Sequence, residues 1–219
     1  MLRHKAYKFR IYPNHKQEIL IAKTIGCSRF VYNYFLDLCN NEYETTGKGL
    51  SYHTCSALLP QMKRDSATLW LKEVDSIALQ SSLKHLFDAF SRFFKKQNER
   101  PQFKSKINPV QSYTTKNVNN SIEIRNNFVK LPKLGLVKFA SSRKLKGRII
   151  HATIRMTSSG KFFVSILCEE EITSYPKSDS VVGIDLGVTD FAILSNGQKI
   201  DNHKFTSKMQ EKLKREQRK

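Results

Sequence analysis

Apolar and polar side chains alternate strictly over residues 6–12 (AYKFRIY), with Tyr7, Phe9 and Ile11 on one side and Lys8 and Arg10 on the other. A period of two predicts a half-buried strand whose outer face is cationic. Pro13 and Asn14 break it and open a helix. From Lys16 to about Glu44 the spacing becomes helical, carried by Ile19, Leu20, Ala22, Phe30, Val31, Tyr34, Phe35 and Leu38, and Gly26 is expected to divide the stretch into two helices. A turn at residues 47–49 precedes a short helix from Tyr52 and a longer one from about Ser76. In the latter, Leu79, Leu83, Leu86, Phe87, Phe90, Phe93 and Phe94 recur every three or four residues and read as a core stripe. Gln80, Lys84, Arg92, Lys95 and Lys96 take its polar side.

Near residue 100 the pattern changes. Residues 100–106 (RPQFKSK) form a basic linker, and strands are predicted near 121–125, 128–131, 134–139, 149–157, 162–169, 181–187 and 190–195. Asn126-Asn127, Ser158-Ser159-Gly160 and Asn196-Gly197 supply the turn chemistry, the last a strong hairpin signal. The first five strands, with the one at 6–12, suit a small antiparallel barrel. The run Val181-Val182-Gly183-Ile184 is nearly all apolar, as in a strand buried on both faces of an α/β sheet. Residues 204–219 read as a charged helix with Glu211/Arg215 and Lys212/Glu216 pairs.

Charge decides the class of partner. Lys and Arg number 38 against 19 acidic residues, a net charge of +19. Such an excess opposes compaction unless a polyanion neutralises it. Because the cations alternate with aromatics inside structured segments, nucleic acid fits better than a membrane surface. No apolar run approaches the ~18 residues needed to span a bilayer, and the N-terminus lacks the apolar stretch of a secretion signal. The scattered Cys27, Cys39, Cys55 and Cys168 contain no C-x-x-C pair, so reduced buried thiols of a cytoplasmic protein are expected, with neither disulfide framework nor zinc site in this chain.

Residues 183–194 (GIDLGVTDFAIL) carry the candidate chemistry. A carboxylate at Asp185, between Ile184 and Leu186 in a buried strand, is unfavourable unless it is paired or binds a cation. RNase H-like nucleases solve this with carboxylates from several strands around two Mg²⁺ ions. Actin-like ATPases and sugar kinases use a similar strand, but near the start of their chains, without a long cationic segment before it. A merely local pairing of Asp185 is the bland alternative, and Asp190 reads as a turn residue.

Several segments resemble the TnpB/OrfB family of insertion-sequence proteins: residues 5–13 (KAYKFRIYP), 26–33 (GCSRFVYN), 47–52 (GKGLSY), 70–75 (WLKEVD), 78–84 (ALQSSLK), 130–135 (KLPKLG) and 183–187 (GIDLG). The matches are collinear. The resemblance implies an α+β chain, with a helical recognition domain inserted into an antiparallel wedge β-barrel and followed by the first strands of an RNase H-like (RuvC) α/β domain. The implied boundaries are 1–12 for the first barrel strand, 13–104 for the recognition domain, 105–178 for the wedge and 179–219 for an incomplete nuclease domain. It also implies an RNA-guided DNA endonuclease that binds a guide RNA from the transposon end and double-stranded DNA beside a short adjacent motif. By position, Tyr52, Ser56, Ser76, Ile77 and Gln80 are expected to read that motif, and Lys84, Arg92, Lys95, Lys96, Lys104 and Lys106 to hold phosphates. Gln102 stands where the family tends to carry arginine.

Asp185 is the expected catalytic and magnesium-binding residue. The remaining metal-binding carboxylates and a zinc ribbon are expected only in a C-terminal part that this chain lacks, so the chain alone is expected not to cut. The resemblance further implies a bacterial or archaeal cytoplasmic, nucleoid-associated protein and a companion transposase in genetic context. The alternatives are a catalytically inactive RNA-guided DNA binder or repressor, and a strand-transfer transposase.

Overall fold

In the computed structural model, which describes residues 1–173 and 179–218, the alternating amino-terminal segment is a long strand, β1 (Leu2–Tyr12). Tyr7, Phe9 and Ile11 are buried on one face, as the period requires. The chain then leaves the sheet for an all-helical excursion and returns. It comes back as β2 (Gln111–Lys116), β3 (Glu123–Arg125), β4 (Phe128–Leu131), β5 (Gly135–Phe139), β6 (Arg148–Met156) and β7 (Phe162–Glu171). The seven-stranded sheet has the order β2-β6-β7-β1-β5-β4-β3. β1 is therefore central. It pairs antiparallel with β7 from Leu2 opposite Glu171 to Ile11 opposite Phe162, and with β5 at Ile11 and Tyr12.

The helical insertion in an antiparallel sheet agrees with the α+β expectation, but the barrel does not close. β2 and β3 remain edges. Closure requires edge strands to exchange hydrogen bonds along their length, and β3 has three residues with an Arg125–Glu123 ion pair of 2.7 Å among its side chains. A short charged edge resists pairing.

The excursion holds α1 (His15–Thr46), α2 (Tyr52–Met62), a short 3-10 helix (Ser66–Lys72) and α3 (Ser76–Phe94). Asn14 and Gln17 form a reciprocal capping box at the start of α1, and Gly47, at φ 69°, closes its end in the left-handed conformation that glycine tolerates. The expected break at Gly26 is absent. α1 is one helix of 32 residues because both halves are held by different cores. Ile21 and Ile25 join the sheet residues Tyr7, Phe9, Val137 and Ile154, while Val31, Phe35 and Leu36 join Leu59, Leu71, Leu79, Leu83 and Leu86. Burial on both sides outweighs the ~1 kcal/mol helix penalty of one glycine. It also moves the buried face: Ile21 and Leu36 are buried, whereas Ile19 and Tyr34, read as core from spacing, are exposed.

Residues Met1–Ile172 form one compact unit and Thr173–Lys219 a second. The expected division at 178 lies outside the described residues. The second unit contains β8 (Ile184–Asp185), β9 (Asp190–Leu194), β10 (Lys199–Asp201) and α4 (Phe205–Gln217), with sheet order β10-β9-β8. Its hairpin turns at Gly197, φ 85°, as the Asn196-Gly197 pair predicts. The strand expected over 181–187 shrinks to two residues. Val181 is 91% exposed and Ile184 and Leu186 are exposed as well. An apolar strand is buried only when layers cover both faces, and among the described residues of this unit Ala192 alone is buried. On α4 the structure shows Glu211 paired with Lys214 at 3.1 Å; the expected partner was Arg215.

Candidate nucleic-acid interface

α2 and α3 run antiparallel. Near one end the Lys84 ammonium sits 5.8 Å from the Tyr52 ring centre, and Tyr52 meets Phe87 edge to face. At the other end the Lys63 ammonium donates to Ser76 Oγ at 2.8 Å. Burial lowers the Lys63 pKa. This alignment sets Ser56, one turn after Tyr52, opposite the part of α3 between its ends. Ser76, Gln80 and Lys84 follow one another at intervals of four residues and so share a face of α3. Ser76 and Gln80 are exposed, Tyr52, Ser56 and Ile77 half-buried. The structure thus puts Ser76 and Gln80 on one accessible face of α3, with Tyr52 beside Lys84 of that face, while Ser56 and Ile77 on the same two helices are half-buried.

Two residues beside them are engaged locally. Asp75, buried, is the N-cap of α3. One of its carboxylate oxygens accepts the Ile77 N–H at 3.0 Å and the other accepts the Thr115 hydroxyl of β2. The start of α3 is thereby bolted to the sheet. Lys84 already has an anion, Asp88, at 2.8 Å, so its charge is half spent before any phosphate arrives.

Arg92, Lys95 and Lys96 lie at the opposite end of α3, which is about 27 Å long at 1.5 Å per residue. All three are exposed. Nearby, Phe94 is 75% exposed and Phe93 is also at the surface, so the last turn of the aromatic stripe is not core. The reason is length: Phe87 and Phe90 still pack against the helical core, and α3 outruns its partners after Phe90.

The basic linker is tied down. Asn33 of α1 binds the Lys104 backbone twice, accepting its N–H at 2.8 Å and donating to its carbonyl at 2.9 Å. Gln111 donates to the carbonyls of Ser105, Lys106 and Asn108, and the Arg29 guanidinium donates to the Gln111 side-chain oxygen at 3.2 Å. Lys104 projects over the Tyr32 ring at 3.9 Å, and burial lowers its pKa. Lys106 is exposed, and so is Gln102. The polar amides of Asn33 and Gln111 were not singled out from sequence, nor was β2, nor Asp75 as a cap; only the start of a helix near Ser76 was legible for this joint.

Asp185, in the second unit, is exposed, and its neighbour across the ladder is Ile193. The expectation of a buried carboxylate is corrected for this chain. Among the described residues no group of three or more His, Cys, Asp or Glu side chains converges in a way that could hold a metal ion. The residues present do not by themselves fit a pair of magnesium ions. No helix among the described residues is long and apolar enough to cross a membrane.

Residues 1–48 match a family described as a helix-turn-helix domain. In this chain those residues form β1 and the unbroken α1. Over 219 residues the chain is 32% identical to a protein of Streptomyces pristinaespiralis provisionally named an RNA-guided DNA endonuclease, covering 98% of this chain and 54% of that one. It is 34% identical over 219 residues to InsQ of Escherichia coli K12, which carries the same provisional name, covering all of this chain and 54% of InsQ. The virulence protein VsdF of Salmonella dublin is 34% identical over 111 residues, 47% of this chain and 93% of VsdF. The chain spans about half the length of the first two relatives.

Proposed function

This chain belongs to the TnpB/OrfB family of insertion-sequence proteins, and from that premise we propose that it is the nucleic-acid-holding part of an RNA-guided DNA endonuclease. In this reading a guide RNA and its DNA target lie against the cationic first unit, and the α2–α3 face reads a short DNA motif. The observation that carries it is the shared face of Ser76, Gln80 and Lys84 beside Tyr52, bolted to the sheet through Asp75 and Thr115. Hydroxyl and amide side chains on a rigid helix are what base edges require for direct readout. The exposed Arg92, Lys95, Lys96 and Lys106 then serve as phosphate contacts, which position without specifying.

A second reading, guided binding without cutting, is favoured for this chain by itself, because Asp185 is exposed and no carboxylate group gathers around it among the described residues. Asp185 remains the candidate catalytic carboxylate of a site completed by other residues.

The test is filter binding of the full chain to RNA transcribed from its own locus, against an unrelated RNA of equal length. Binding should prefer the locus RNA and weaken at least tenfold between about 50 and 200 mM salt as counterions are released. Equal affinity for both RNAs, or none at low salt, would sink the reading. Incubation with Mg²⁺ and target DNA should leave the DNA uncut; cutting by the chain alone would overturn the second reading.

A further inference from the structure

A cleft of about 270 Å³ opens between α1, α3, the tethered linker and β2, entirely within the first unit. It is separate from the α2–α3 reading face, and nothing so far has used it. Its floor is apolar, from Ile25 and Ala78, and its rim carries Arg29, His85 and Lys104. Ser28 lines the wall at 5% exposure, and its Oγ, covered in this rotamer, has no hydrogen-bond partner among the described residues. Its own carbonyl is engaged by the Ser82 hydroxyl. A buried hydroxyl left without a partner is destabilising unless something fills the site. The lining carries no carboxylate beside these cations; desolvation and the charge of Lys104 lower the His85 pKa, against an opposing pull from Asp88.

We propose that this cleft is a subsite for one unpaired nucleotide, which seats its base over the apolar floor with an edge bonded to Ser28 and sets its phosphate against Lys104 and Arg29. The size argues for this ligand. The volume lies near the lower limit of ligand pockets, adequate for a single base with its sugar and phosphate and too small for a stacked helix. Unstacked bases are recognised by ring faces and by hydrogen bonds to their edges. The His85 and Tyr113 rings line the cleft. The rim is also pre-organised, because Asn33 and Gln111 fix the backbone that carries Lys104. The proposal rests on the nucleic-acid reading above and locates within it a point where the bound strand leaves its helix. The strand is either guide RNA or displaced DNA.

The experiment is a titration of the full chain with each ribonucleoside 5′-monophosphate, its deoxy counterpart and inorganic phosphate, following the His85 imidazole resonances by NMR. At least one nucleotide should saturate those shifts at low-millimolar concentration and bind at least fivefold tighter than phosphate. Preference for the ribo or deoxy form identifies the strand. Ser28→Ala should weaken nucleotide binding about fivefold without lowering the melting temperature, since it removes an unsatisfied hydroxyl. Lys104→Gln should weaken it as well, which keeps the test open if the Ser28 variant folds poorly. Phosphate binding as tightly as every nucleotide, no saturable shift, or unchanged affinity in both variants overturns the proposal. If the chain still binds its locus RNA at low salt in any of those cases, the subsite fails and the broader reading stands; loss of RNA binding itself would fail the broader reading.

Discussion

Asp75 is the residue on which the geometry of the α2–α3 face turns. Its carboxylate caps α3 through Ile77 and accepts from Thr115 across to β2. An N-cap contributes about 1 kcal/mol, and a buried hydroxyl stripped of its acceptor is destabilising by about 1–3 kcal/mol. Asp75→Ala should therefore destabilise the chain by roughly 2–4 kcal/mol in urea melts, with Thr115→Val losing less because it keeps the Asp75 cap on α3. Equal effects from the two would mean that the cap contributes nothing. Glu170 is a comparable case on the sheet. It is buried, accepts from the Tyr7 hydroxyl and has Lys5 at 3.9 Å. No periodicity argument identified it, since a glutamate near a strand end reads as solvated.

Among the elements, α1 and the loop between β5 and β6 give opposite responses to the same substitution. Gly26 lies within a helix, and nothing stands within 4 Å of the position a Cβ would take. Gly26→Ala should raise stability by about 0.5–1 kcal/mol, by helix propensity and reduced freedom of the unfolded chain. Gly147, before β6, has φ 79°, and a Cβ there would lie 2.1 Å from the Glu169 carbonyl oxygen. Gly147→Ala should lower the melting temperature markedly, because the neighbour is backbone and cannot step aside. A stabilised Gly147 variant or a destabilised Gly26 variant, read by thermal melts, would contradict the packing described. The strands with clear alternation were legible to within a few residues. β2 was not, because its inward positions are Tyr113 and Thr115 among Gln, Ser and Lys, and threonine hides a buried face behind a polar letter.

For the whole molecule, buried titratable groups define a window of pH. Burial pushes the Cys27 thiol up to about 11 from 9.0, and Tyr7 and Tyr32 are raised too, the first chiefly by its bond to Glu170. Groups whose folded pKa is raised add stability that is whole below the unfolded value and lost as pH climbs through the folded one. His85 and His151 are lowered, mainly by burial. Their contribution is present above the unfolded value of 6.5 and lost as pH falls. Melting temperature should thus be highest between about pH 6.5 and 9, falling on both sides, and Cys27→Ala should soften the alkaline edge. A melting temperature that rises steadily from pH 9 to 11 would contradict the burial of these groups. The net charge of +19 adds self-repulsion throughout, so low salt should lower the melting temperature of the free chain and added RNA should restore it.

Local chemistry was sufficient for β1, the starts of α1 and α3, the Asn196-Gly197 hairpin and the cationic class of partner, because period, turn residues and charge act within a few residues of one another. Tertiary structure alone decided that α1 runs unbroken through Gly26, that the sheet stays open, and that Ser28, His85 and Lys104 meet around one cleft. Those outcomes depend on contacts between segments tens of residues apart, where burial by a distant neighbour outweighs a local preference of about 1 kcal/mol. Asp185 shows the same rule from the other side: its apolar neighbours predict burial, and without layers to cover both faces of β8 they stand in solvent.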